Sequence, residues 1–377
     1  MQDDQTRRSG VFLYGPFLAP ELLALANPAA RPSGAAVPAR LPGWRLETSD
    51  DAVFPHLVED AAHSVDGLFV ACADPWQLPP LFSGFDILIK EMPIIFSKTQ
   101  RLARIPSAPK PAHRQTVPWQ EPVWRARHLP FVAALLRERV WDQAAGATTP
   151  AAPLAAHRRA LAANRATAVP PIDLRSDFGP GDIQDLHRSR VYSGIFALDT
   201  LRYRLRRYDG ALSPTVEREV FVSGDAVSVL PWDPQRDHVL LIEQIRAGLL
   251  ARGEANPWNL EVIAGLVDRR EAPEAAARRE AAEEADLTLG RMETVAEYYS
   301  SPGAMTEFLT AFIAEADLDR APGVHGLASE AEDIRTLVLP FETAMAAARR
   351  GEVRNAPALL LLLALAERRA ALRKAWR

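Results

Sequence analysis

Three glutamates, Glu280, Glu283 and Glu284, close the segment "EAPEAAARREAAEEADL" at residues 271–287. Read as a helix, this stretch is electrostatically awkward. Glu280 and Glu284 are four residues apart, so they share a face and repel. The helical neighbours of Glu280 are Ala276, Ala277, Glu283 and Glu284, and none is basic. Only Glu283 has a helper one turn back, Arg279. The group also falls near the helix C-terminus, where the macrodipole disfavours anions. A solvated acidic face is the plain alternative, because most charge runs are that. A divalent cation among the carboxylates would remove both penalties. Oxygen-only ligands select Mg²⁺ or Mn²⁺ over zinc, and such an ion keeps positions open for water and phosphate. Residue chemistry alone therefore leaves two readings: a solvated helix, or metal-assisted cleavage of a phosphate compound.

The elements that would hold these residues are legible around them. Pro273 suits the first turn of the helix, although Ala272 is a poor N-cap. Upstream, "GIFALDTLRYRLRR" alternates as a strand, and "DAVSVLPWDPQRDHVLLIEQIR" carries two β-branched runs around a turn, which predicts a hairpin. "WNLEVIAGLV" reads as one further strand, "MTEFLTAFIAEA" and "EDIRTLVLP" as later ones, and "FETAMAAARRG" and the leucine-rich C-terminus as helices. Mixed strands followed by helices imply a layered α/β domain.

The chain has 377 residues, 48% of them apolar and 24% charged, enough for two domains with cores. Net charge is −4, which gives no reason to expect nucleic acid as a partner. The single cysteine, Cys72, cannot form an intrachain disulfide or a zinc cluster, so a cytoplasmic, reducing compartment is the expectation. The first residues lack the apolar core of a signal peptide. The apolar run 356–366 is too short for a bilayer, which needs ~20 residues, so no membrane partner is expected. The 31 prolines are unevenly placed. "IPSAPKPAHRQTVP" and "AAGATTPAAP" read as linkers around the helical stretches "VWRARHLPFVAALLRERVWDQ" and "LAAHRRALAANRA".

The spacing of the acidic segment resembles the Nudix box, G-x5-E-x7-R-E-U-x-E-E-x-G-U. Gly265, Glu271, Arg279, Glu280, Ala281, Glu283, Glu284 and Leu287 fall on it, and the second glycine is replaced by Asp286. That position just past the helix is expected to be left-handed, which Asp tolerates better than most residues. "YSGIF", "LIEQIR", "EVIAG", "SPGAMTE" and "GVHGLASEAEDIR" extend the similarity to the ADP-ribose pyrophosphatase subfamily. The resemblance implies an α/β/α sandwich with a mixed sheet over residues 172–377. It also implies a homodimer with swapped N-terminal strands, and Mg²⁺-dependent hydrolysis of ADP-ribose to AMP and ribose 5-phosphate, with Mn²⁺ able to substitute. By the same resemblance Glu280, Glu283, Glu284, Glu332 and the Ala264 carbonyl are metal ligands, and Glu330 is the general base. Arg279 braces the helix, pairing with Glu271. The substrate contacts implied are Arg218, Glu219, Arg246, Leu266, Ser301, Pro302, Gly303 and Glu307, with Ile195 and Phe196 reaching the partner subunit's site. Ser223 stands where the family pattern has a basic residue, so one phosphate or adenine contact is missing from the expected set.

The first half is a separate matter. "VFLYGPFLAPELLALA" reads as strand, tight turn and helix, and resembles the start of gamma-glutamyl cyclotransferase-like domains, with "LPGWRLE" and "VDGLFVACADPWQLPPLF" as later elements. The resemblance implies a smaller α+β barrel domain at 9–105, followed by a Pro/Ala-rich linker with helices at 106–171. In the active family, turn amides hold a carboxylate and a later glutamate does acid–base work. Pro16 removes one turn N–H, and neither Asp86 nor Glu91 is in register. The expectation is a degenerate copy used for packing, dimerisation or ligand sensing. The leading function is thus ADP-ribose hydrolysis. The alternatives are hydrolysis of another nucleoside diphosphate sugar or dinucleotide, a non-catalytic ADP-ribose sensor, and residual cyclotransferase activity.

Overall fold

The computed structural model describes residues 10–25, 36–50, 52–71, 85, 87–96, 98–112, 114–146, 152–166, 173–268, 271–319, 323–327 and 331–376. They form two compact units, Met1–Glu219 and Val220–Arg377. The boundary expected at 171/172, together with Cys72 and Asp86, lies outside the described residues.

In the first unit, β1 (Gly10–Tyr14) is buried along its whole length and leads through a single 3₁₀ turn, Gly15–Leu18, into α1 (Pro20–Leu25). This is the strand, turn and helix read from the sequence. β2 (Val37–Thr48), β3 (His56–Ala71), β4 (Leu88–Phe96) and β5 (Thr99–Ser107) follow, and a two-residue β6 (Val117–Pro118) attaches to β2. The order is β3-β1-β5-β4-β2, and β2 also pairs with β3, so the five strands close into a barrel with no free edge. Gly67 is required where β3 crosses β1: a Cβ there would stand 2.3 Å from the Leu13 carbonyl oxygen and 2.6 Å from the Phe12 ring. Pro16 opens the 3₁₀ turn, where its missing N–H leaves no hydrogen bond unmade in the turn itself. Glu91 is exposed on β4 and pairs with Arg104 at 3.4 Å.

The helical stretch after the barrel is broken in two, α2 (Glu121–Arg127) and α3 (Leu129–Ala144), because Pro130 can only enter a first turn. α4 (Ala152–Arg165) packs against α3. A three-stranded sheet completes the unit: β7 (Ile183–Ser193), β8 (Ala197–Leu205) and β9 (Val216–Val222), the last running across the division between the units. A buried ion network fastens the β7–β8 hairpin to the helices. Arg159 on α4 donates to Glu138 (2.6 Å) and to both oxygens of Asp142 (2.8 and 2.9 Å) on α3. Arg190 on β7 donates to the same two acids at 2.7 Å each and to Asp199 on β8 at 2.8 Å. Arg188 and Ser193 complete the shell of donors.

The second unit is built on a mixed sheet ordered β14-β15-β10-β11-β17-β16. Its strands are β10 (Ala226–Asp233), β11 (His238–Ile245), β14 (Met292–Tyr299), β15 (Phe308–Glu315), β16 (Gly323–His325) and β17 (Ile334–Pro340). β10 and β11 form the expected hairpin, but they pair only at the turn end, Trp232↔Val239 and Asp233↔His238. The single strand predicted over "WNLEVIAGLV" is two: β12 (Trp258–Glu261) pairs with β11 and β13 (Ile263–Leu266) with β10. The break at Val262 lets one segment serve both diverging strands. After β11 comes the short α5 (Ala247–Arg252), and after β13 comes α6 (Pro273–Ala285), the acidic helix.

Burial divides by strand face, as period-two alternation requires. Val227, Val229, Leu240, Ile242 and Ile263 pack under α6 through Ala276, Ala277, Ala281 and Ala285. Leu230, Trp232, Leu241 and Val262 face the other way, against α7 (Phe341–Arg349) and α8 (Ala356–Ala375). The unit is therefore an α/β/α sandwich. No helix among the described residues is long and apolar enough to cross a membrane.

Candidate active site

α6 turns its alanines to the sheet, and the same stripe carries Glu284. Its carboxylate is 3% exposed and accepts a hydrogen bond from the Ala264 N–H on β13 at 3.1 Å. Burial pushes its pKa up to about 8, against that hydrogen bond, with Glu280 and Glu332 adding repulsion. Glu280 is pushed up to about 7, again chiefly by burial. Arg279 pulls the other way, and Glu283 and Glu332 add to the rise. These are not the carboxylates of a solvated face. Gly265 makes room for Glu280: a Cβ there would lie 1.9 Å from Glu280 Oε1. The box glycine is thus a consequence of where the carboxylate must sit.

Arg279 braces this corner. It donates to Glu271 (2.8 and 3.3 Å), to Glu283 (2.9 Å) and to the Leu266 carbonyl (3.0 Å). The expected Arg279–Glu271 pair is present, and Glu271 in turn accepts from the Asp268 N–H. One contact departs from helical spacing: Arg279 Nη1 also reaches Glu280 Oε1 at 2.7 Å, although adjacent residues point away from each other. The helix ends on Asp286 at φ 50°, ψ 38°, the left-handed conformation foreseen, with the Asp286 and Leu287 N–H groups closing the last turn.

Glu332 is held just beyond β16, its carboxylate accepting from the Leu327 N–H at 3.1 Å. It is near enough to raise both Glu280 and Glu284. Glu330 lies outside the described residues. Arg246, at the end of β11, is paired in a fork with Glu261 on β12, Nε at 3.0 Å and Nη2 at 2.6 Å. Sequence reading assigned Glu261 no role. The signal was there, since a lone carboxylate inside an apolar strand needs a cation or a donor.

Leu266 is half-buried on β13. Ser301, Pro302 and Gly303 form an exposed turn, closed by Ala304 and Met305 N–H bonds to the Ser301 carbonyl. A Cβ on Gly303 would meet open space, so the fold itself does not demand glycine there. Glu307 accepts from Ser300 Oγ at 2.6 Å. Ser223 is buried, its N–H bonded to Thr306 Oγ1 and its own Oγ without a hydrogen-bond partner among the described residues. Arg218 and Glu219, both exposed on β9, and Ile195 and Phe196, exposed at the β7–β8 turn, belong to the first unit.

The donor set suits a hard divalent cation: all oxygen, on one buried and several half-buried carboxylates with few cations beside them. Among the described residues no group of three such side chains is already closed around an ion-sized point. Glu280 and Glu283 now lean on Arg279, and Glu284 on the Ala264 N–H, so those are the contacts that binding would exchange.

The signature of the NUDIX domain matches residues 222–361, from the end of β9 into the first turns of α8. The chain belongs to the NUDIX family, whose members of this kind are hydrolases acting on pyrophosphate bonds. It is 40% identical over 206 residues to the ADP-ribose pyrophosphatase of Escherichia coli (strain K12), a match covering 55% of this chain and 98% of that one. It is 37% identical over 179 residues to the GDP-mannose pyrophosphatase of Cronobacter sakazakii, covering 47% and 92%. A solved structure described as an ADP compounds hydrolase is 18% identical, with a TM-score of 0.40, over 49% of this chain and 93% of that one.

Proposed function

We propose that the protein hydrolyses the diphosphate of ADP-ribose to AMP and ribose 5-phosphate with Mg²⁺. The observation that carries this is the pair of desolvated carboxylates, Glu280 and Glu284, stacked on one face of α6 against β13. Glu280, Glu283, Glu284, Glu332 and the Ala264 carbonyl would hold the cation. When bound, it supplies charge neutralisation for the diphosphate and a lowered pKa for water. The chain's own contributions are distinct. Arg279 keeps Glu280 and Glu283 in place. Arg246 offers a guanidinium to a phosphate, for which its planar fork is suited. Glu330 takes the proton from the attacking water, a role that needs its carboxylate within ~3 Å of that water. The Ser301–Gly303 turn lies against the substrate, Glu307 holds ribose hydroxyls, and Leu266 packs on the nucleoside. Arg218 and Glu219 serve the adenine, and Ile195 and Phe196 act across a homodimer. The hydrolase module runs over 172–377, consistent with the 206 residues shared with the Escherichia coli enzyme. The barrel at 9–105 is a degenerate cyclotransferase-like copy.

A second reading has its own observation. Ser223 brings no positive charge, and relatives at 37% identity are GDP-mannose pyrophosphatases. Another nucleoside diphosphate sugar is then the preferred substrate. Nucleotide release from ADP-ribose, ADP-glucose, GDP-mannose, NADH and diadenosine compounds, with Mg²⁺ and with chelator, decides between them. Metal-dependent AMP from ADP-ribose well above the rest is expected. Preference for GDP-mannose would overturn the substrate and leave the glutamates their role.

A further inference from the structure

Glu261 is buried in an apolar strand, and the reaction as described leaves it nothing to do. Its surroundings are specific. Strand alternation puts Ile242, Gln244 and Arg246 of the β11 segment on the α6 side of the sheet, since Ile242 belongs to the cluster under that helix. On β12, Glu261 lies opposite Ile242 and Asn259 opposite Gln244, so both share that face. The Arg246 side chain runs back along the sheet to meet them. Its Nε and Nη2 take both oxygens of Glu261, and Asn259 Nδ2 donates to Oε1 at 2.9 Å. The Glu261 carboxylate is thereby filled, at 3% exposure. Among the described residues Arg246 Nη1 has no hydrogen-bond partner, and the guanidinium is close enough to Glu284 and Glu332 to feel both charges. The backbone is fixed as well, the Arg246 N–H bonding to the Pro257 carbonyl at 3.1 Å.

We propose that Glu261, braced by Asn259, is a positioning residue: it presets the Arg246 fork with Nη1 left to take a substrate phosphate beside the α6 carboxylates. This rests on reading Arg246 as a phosphate contact. An unheld arginine would have to order its long side chain at each encounter, and would be free to fold onto Glu284 or Glu332 instead. Spending one buried carboxylate on the Nε–Nη2 edge of the guanidinium prevents that and leaves both N–H donors of Nη1 and the second of Nη2 unspent. The pairing geometry is bidentate, so a lysine could not replace the arginine.

A mutant cycle tests this on the full chain, with whichever sugar nucleotide the wild type cleaves fastest. The choice of substrate is thus settled separately from the positioning. Glu261→Gln is expected to lower kcat/KM by about ten- to a hundredfold, in the range typical of supporting residues. Arg246→Ala should lose at least as much, and the double variant no more than Arg246→Ala alone. Glu261→Asp should recover part of the loss. If Glu261→Gln folds poorly, Asn259→Ala, which removes a single hydrogen bond, should show the same lack of additivity on a smaller scale. Wild-type kcat/KM in Glu261→Gln, or losses that multiply in the double variant, would overturn the proposal. The second result would make Glu261 a support for the fold rather than for the arginine.

Discussion

Two clusters of carboxylates among the described residues are treated differently by the fold. Between α3, α4 and the β7–β8 hairpin, Glu138, Asp142 and Asp199 meet Arg159, Arg188 and Arg190, one cation for each anion. On α6, Glu280 and Glu283 share Arg279, whose charge is also claimed by Glu271, and Glu284 rests on the Ala264 N–H. The first arrangement raises Arg190: burial works against its charge, and the bonds to Asp199 and Glu138 outweigh it. The second raises Glu280 and Glu284, chiefly by burial, along with Arg279. Balanced buried charge holds a fold in register, whereas unbalanced buried charge is a state waiting for a ligand. The contrast, more than the count of acids, separates the structural cluster from the reactive one.

The largest effect that would break this contrast is on turnover. Glu284→Gln should reduce kcat by more than about a hundredfold, as expected for losing a principal ligand, while the metal-free protein unfolds no earlier than wild type. A fall in both would mean that Glu284 is structural. The mirror experiment is Glu138→Gln, which strands Arg159 and Arg190 in the interior. Thermal or denaturant unfolding should show a loss of about 3 kcal/mol, the scale for breaking one partner of a buried pair. A neutral result would equate the two clusters. Cation addition sharpens the comparison further. Mg²⁺ at a hundred times its dissociation constant should stabilise the wild type by about 2.7 kcal/mol, and should not stabilise a Glu280→Gln, Glu284→Gln protein. The smallest effect is at the helix end. Asp286→Gly relieves a left-handed residue and should raise stability by ~0.5–1 kcal/mol with turnover unchanged.

Local pattern made much of the hydrolase unit legible. The helix at 273–285, the 226–245 hairpin and the C-terminal helix follow from periodicity and turn residues, and the left-handed helix end from the box position that Asp286 fills. The acidic segment announced itself because repulsion within one helix is a sequence-local property. What escaped reading was non-local. Nothing near Arg246 in the sequence says that Glu261 holds it, since the pairing depends on β12 lying beside β11. The ion network joins residues from 138 to 199 that share no spacing. The break at Val262 is invisible in the sequence "WNLEVIAGLV", because only the divergence of β10 and β11 calls for it.

That break has a consequence for how this stretch can change length. Glu261 sits just before it and Ala264 just after, one supporting an arginine and the other donating to Glu284. Each half is registered on a different strand, so neither can slide to absorb an extra residue. A single insertion or deletion anywhere in 258–266 would turn one of the two to the opposite side of the sheet. Substitutions can drift here one at a time, but the reading frame of the segment is locked. A library of one-residue insertions would find this the least forgiving strand of the unit.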